Sequence, residues 1–141
     1  MRYRRKVLPA SLVPAYEAFL LVLEELEPAT SGLAEVLPTN RLPGRPLVDA
    51  LGDFEARLGR ARLAMPPWRR PEVDEVWRAC LIGLDRSLAL AARLRSEAPD
   101  LGGFEGLLGT VQALLDPLDP FEEAAVRFSA LRLRTRGSGP M

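Results

Sequence analysis

PLVDALGDFEARLGRARLAM, residues 46–65, is the stretch whose pattern decides the fold. Its apolar residues Leu47, Leu51, Phe54, Leu58, Ala61 and Met65 recur at steps of four and three, the period of one face of an α-helix. Arg45, Asp49, Asp53 and Arg57 follow one another at steps of four along the outer side, where each favourable pair adds roughly 0.2–0.5 kcal/mol to the helix. A helix with one apolar face has to bury that face against others of its kind.

The same period continues on either side. After the cluster Pro66, Pro67 and Pro71, a helix is expected up to about Ala98, where Pro99 stops it. Its stripe of Val73, Val76, Trp77, Cys80, Leu81, Leu84, Leu88, Ala91 and Leu94 is wide enough to touch two neighbours. Upstream, a helix over residues 11–27 opens with Ser11 as N-cap, tolerates Pro14 in its first turn and ends before Pro28. Leu12, Tyr16, Phe19, Leu23 and Leu26 form its core face, with Glu17, Glu24 and Glu25 opposite. Residues 31–37 read as a short helical segment, and residues 38–46, with three prolines and Gly44, as a loop. Downstream, a fifth helix is expected over residues 101–115. A sixth opens on Asp119, Pro120 and Glu122, a capping box with proline at the first helical position, and buries Phe121, Ala124, Ala125, Phe128 and Leu131.

Leu51, Gly52, Phe54, Glu55, Leu58 and Gly59 reappear fifty positions later as Leu101, Gly102, Phe104, Glu105, Leu108 and Gly109. A duplicated helical hairpin produces such a match, and so does convergence of two core helices on the same few residue types.

The chain of 141 residues has a formal net charge of +0 and a composition that is 48% hydrophobic and 27% charged. That is ordinary globular usage, and its balance argues against a body that is wholly an electropositive scaffold. Single Lys6, Ile82, Asn40 and Gln112 beside abundant Ala, Arg, Leu, Gly and Pro point to GC-rich codons and a bacterial source. The basic start followed by residues 7–16 imitates a signal peptide, but Pro9 and Pro14 interrupt it and Glu17 closes it, so a cytoplasmic location is expected. The lone Cys80 forms no intrachain disulfide.

Histidine is absent. Within one subunit this removes histidine-bound zinc, Ser-His-Asp and Cys-His nucleophiles and the Glu-x-x-His sites of di-iron bundles. Cys80, on an apolar stripe, reads as an inert core thiol. Glu24, Glu25 and Glu27 read as a solvated patch, and Glu122 and Glu123 as residues that suit a helix N-terminus. No catalytic residue, metal ligand or cofactor is expected.

Two interaction surfaces are expected. The connector after residue 64 places Met65, Trp68, Arg69 and Arg70 among stiffening prolines, and Trp and Arg are enriched at binding hot spots. The competing reading is that Trp68 folds back to plug the bundle. In the fifth helix Leu101, Phe104, Leu108, Val111 and Leu115 supply a core face, while Gly102, Gly106, Gly109 and Ala113 form a smooth stripe opposite, with Glu105 the only charge. Each glycine costs about 1 kcal/mol in a helix interior relative to alanine, so the stripe is expected to admit a close partner, preferably a second subunit. Basic residues concentrate at both ends: Arg2, Arg4, Arg5 and Lys6 before the first helix, and Arg127, Arg132, Arg134 and Arg136 in and after the last. They can bind nucleic-acid phosphates, but solvation of a terminus and complementation of a helix dipole are the plainer explanations.

The expected architecture is therefore all-α, an up-and-down four-helix bundle with one or two additional short helices in a single domain over residues 1–141. Residues 1–10 form a basic arm and residues 137–141 a disordered tail. The expected role is a non-catalytic interaction or regulatory protein, self-associating or part of a larger assembly, with no membrane partner. The competing classes are a nucleic-acid-binding accessory subunit and an enzyme whose carboxylates are shared across a subunit interface.

Overall fold

A computed structural model describes residues 4–97 and 100–136; the tail over residues 137–141, expected to be disordered, lies outside the described residues. In chain order the elements are β1 (Arg4–Val7), α1 (Val13–Ala34), α2 (Leu47–Leu63), α3 (Asp74–Glu97), α4 (Phe104–Leu115), α5 (Pro120–Ala130) and β2 (Leu133–Arg136). Short 3-10 turns at Ala10–Leu12, Pro66–Trp68, Pro71–Val73 and Asp116–Leu118 link them.

The helices make an all-α up-and-down bundle of four legs. Glu25 pairs with Arg60 at 2.6 Å, and Asp53 lies beside Gly32, so α2 runs back along α1. Arg62 pairs with Asp85 at 2.7 Å and Glu55 with Arg95, so α3 runs back along α2. The fourth leg is composite. The Ser87 hydroxyl donates to the Leu114 carbonyl at 2.7 Å, Gly83 lies against Pro117, and α5 continues down the same side of α3. The leg bends at an elbow where Pro117 and Pro120 each remove an amide hydrogen.

The α2 and α3 stripes are where the spacing puts them: Leu51, Phe54, Leu58, Ala61, Cys80, Leu84 and Ala91 are all buried in the main core. Four boundaries differ from expectation. Ser11 is not the N-cap of the first helix: it lies in the Ala10–Leu12 turn, and α1 begins at Val13 with no side-chain cap. α1 passes through Pro28 and absorbs the segment after it, because Ala29 and Leu33 are buried on the same face as Leu26. Proline at 28 removes one hydrogen bond, to the Glu24 carbonyl, and burial on both sides offsets that loss. α4 starts at Phe104 and not at Leu101: Gly102 and Gly103 have φ of +69° and +107°, and the Gly102 amide donates to Asp100 Oδ1 at 3.1 Å. Finally, the capping box at Asp119 does not form. The backbone of Asp119 is already helical after the 3-10 turn, and its side chain caps nothing.

The expected basic arm is a strand in part. β1 and β2 pair antiparallel, with Val7 opposite Leu133, Lys6 opposite Arg134, Arg5 opposite Thr135 and Arg4 opposite Arg136. Leu8 packs on the core, and Arg132 lies 5.5 Å over the Tyr16 ring and donates to its hydroxyl at 3.2 Å, fixing the root of this ribbon to α1. Among the described residues no helix is long and apolar enough to cross a membrane.

Candidate functional site

Of the connector residues Met65, Trp68, Arg69 and Arg70, Met65 and Trp68 are turned inward, which corrects their reading as contact residues, while Arg69 is exposed. Met65 and Trp68 are buried at 1% and 0% exposure. Trp68 meets Phe19 edge-on at 4.9 Å and lies 6.0 Å from Phe128 and 6.4 Å from Trp77. Tyr16 completes this aromatic plug at 5.3 Å from Phe128. Trp77 Nε1 donates to the Met65 carbonyl at 2.8 Å, tying the connector to α3. Arg69 covers the Trp77 ring at 4.8 Å and bonds Asp74 at 3.3 Å, while Arg70 is half-buried. A hot-spot composition here serves internal packing.

The glycine stripe is not continuous either. Gly102 lies outside α4, and Gly106 is covered by its own chain, since the Leu101 carbonyl occupies the place of a side chain there. Gly109 has open space around it and Ala113 is exposed. The core face of α4 is also rotated from the expected one. Val111 and Leu114 are buried, Leu107, Leu108 and Leu115 are half-buried, and Phe104 is 51% exposed. The fifty-residue similarity thus joins positions of unlike structure: Phe54 is 1% exposed where Phe104 is half in water, and Gly52 is helical where Gly102 makes a turn. Of the N-terminal basic residues, Arg2 lies outside the described residues, and Arg4, Arg5 and Lys6 form β1.

Cys80 is fully buried in the stripe of α3, and burial pushes its thiol up to about 12. A thiol so far from ionisation is no nucleophile at neutral pH. Among the described residues no three His, Cys, Asp or Glu side chains gather in a geometry that could hold a metal ion.

The fold does leave a groove between α1 and the elbow of the fourth leg. α1 packs closely on α2, and α5 on α3, so α1 and α5 face each other mainly through side chains. At one end Tyr16 and Phe19 meet Phe128 and close the gap. One turn further along α1 the gap stays open as a cleft of about 530 Å3. Gly83 explains why: without a side chain it lets the Pro117 carbonyl sink against α3, and Ser87 secures the adjoining turn. The elbow is thus drawn toward α3 and away from α1.

Leu26, Leu118 and Phe121 form the apolar floor, and Leu23, Leu115 and the small, exposed Ala125 form the walls. Glu27 stands on the rim from α1, Asp119 and Glu122 from the other side, and Thr30 and Ser31 close one end; among the described residues no basic side chain lines the cleft. Released from the capping role expected of it, Glu122 is an exposed carboxylate beside an apolar trough. Sequence spacing placed Glu27 and Glu122 on helix surfaces but gave no sign that they share a groove, because their meeting depends on the elbow. The chain matches no protein-family model, no curated protein and no solved structure.

Proposed function

We propose that the protein is a non-catalytic docking subunit whose groove between α1 and the elbow receives an amphipathic helix of a partner protein, one with Lys or Arg beside its apolar residues. The carrying observation is the combination, among the described residues, of an apolar floor with carboxylates on both walls and no lining cation. An apolar side chain leaving water for the floor gains about 25 cal/mol per Å2 buried. Cations flanking it meet Glu27 on one side and Asp119 and Glu122 on the other, which favours a basic helix over an acidic one and speeds its encounter. From Leu23 to Ser31 the α1 wall extends about 12 Å at 1.5 Å per residue, room for two helical turns. Helix-in-groove recognition uses anchors at that spacing. A single buried, un-ionised thiol agrees with a reducing compartment, and a cytoplasmic role is part of this reading.

The test uses two designed helical peptides with the same leucine heptads, one with lysine and one with glutamate at the flanking positions. Methyl signals of Leu23, Leu26 and Leu118 should shift with the lysine peptide alone, and Ala125→Trp, which fills the groove from an exposed position, should abolish the response. Equal response to both peptides, or shifts confined to other faces, overturns the proposal. Self-association that disappears in the Ala125→Trp protein would replace the foreign partner with a second copy of this chain.

A further inference from the structure

We propose that the β1–β2 ribbon is a second binding site, one for the phosphate backbone of a nucleic acid, independent of the groove. Seven of the 19 basic residues fall in residues 2–6 and 132–136, which contain no acid, leaving twelve among all 19 acids in between. The net charge of zero therefore conceals an acidic body and two basic ends. The fold brings those ends together, pairing Arg4 with Arg136 and Lys6 with Arg134.

Alternation along a strand sets these four positions on one face of the ribbon, with Arg5, Val7, Leu133 and Thr135 in the other set. Like charges directly opposite one another destabilise a strand pair, and two strands alone are marginal in water. A row of phosphates removes both objections, since each cation gains an anion and the repulsion across the strands is neutralised. The alternative polyanion, an anionic membrane, fits less well. The cationic register positions Arg4, Lys6, Arg134 and Arg136 carry no apolar companion for insertion into a bilayer.

Fluorescence anisotropy of a labelled single-stranded oligonucleotide titrated with the full chain tests this, with a duplex and phosphatidylserine vesicles as parallel arms. Four phosphate contacts give a slope of log Kobs against log salt of about −2.8 on a single strand and about −3.6 on a duplex. The double variant Lys6→Gln/Arg134→Gln should halve that slope, as should Arg4→Gln/Arg136→Gln, while circular dichroism melting stays unchanged or rises because a like-charge pair has gone. Arg86→Gln/Arg93→Gln, on the exposed side of α3, should leave the slope alone. The proposal is overturned by an absence of oligonucleotide binding at low salt, by binding to vesicles alone, by ribbon variants with the parental slope, or by equal flattening in the α3 control. None of these outcomes bears on the groove.

Discussion

Trp68 shows how a single residue can mislead when it is read from composition. Proline-rich surroundings and two arginines suggest display, yet among the described residues the indole is the largest fully buried side chain and its Nε1 finds no hydrogen-bond partner. The stiff connector sets Trp68 against Phe19, Phe128 and Trp77, and ring contacts of this kind add about 0.5–1.5 kcal/mol each beyond area burial. Trp68→Ala should therefore cost about 3–5 kcal/mol. Trp68→Phe should cost clearly less, because it keeps an aromatic ring and removes a buried N–H whose lost hydration costs roughly 1–3 kcal/mol. Urea denaturation of the three proteins checks the order; equal losses would mean that the orphaned N–H carries no penalty. Nothing in the sequence distinguishes an inward from an outward tryptophan here, since the deciding contacts come from residues 19 and 128.

Among the elements, the elbow between α4 and α5 governs the groove. Gly83 and Ser87 are one turn apart on α3, one admitting the Pro117 carbonyl and the other bonding the Leu114 carbonyl. Gly83→Leu must drive the elbow off α3. The expected result is a loss of about 1–3 kcal/mol, the range for overpacking a buried contact, together with a narrower groove and weaker binding of the lysine peptide. Ser87→Ala at the neighbouring position should lower stability by roughly 1–3 kcal/mol through the unsatisfied carbonyl, with the groove retained. Calorimetry and peptide titration of both variants separate the effects, and undiminished peptide binding in Gly83→Leu would show that the elbow does not control the groove. Element boundaries were legible where periodicity alone sets them, as in α2 and α3. They were not legible at Pro28, where burial of Ala29 and Leu33 overrides a local breaker, nor at Leu101, where the letters of α2 recur but Gly102 and Gly103 turn the chain. The groove left no trace in the sequence because it is the space between two elements, set by a third.

At the scale of the whole molecule, the up-and-down arrangement follows from short connections between helices that each have one apolar face. The lateral ion pairs Glu25–Arg60, Glu55–Arg95 and Asp85–Arg62 join neighbouring legs, but they are half-exposed and add roughly 0–1 kcal/mol apiece. What no local pattern announces is the ribbon, whose two strands stand at opposite ends of the chain. Pairing across that separation yields no signal in any short window, and the alternation in Leu133, Arg134, Thr135 and Arg136 acquires meaning only beside β1.

Because β1 and β2 lie side by side, the described backbone from residue 4 to residue 136 comes close to a ring. A circular permutant that joins the ends by a flexible glycine-serine linker and begins instead in the exposed stretch at residues 39–42, between α1 and α2, should fold to the same bundle with a similar melting temperature. The same permutant opened inside the elbow, at residues 116–119, should lose substantial stability, since there the chain itself holds α4 and α5 against α3. Equal melting temperatures for the two permutants would mean that chain continuity at the elbow contributes no more than it does in the loop at residues 39–42. The adjacency also has a practical side: a protein fused beside β1 or β2 would stand at the basic ribbon, separated from the groove by the contact of Tyr16 and Phe19 with Phe128, so it would obstruct the proposed phosphate binding before it obstructs a docked helix.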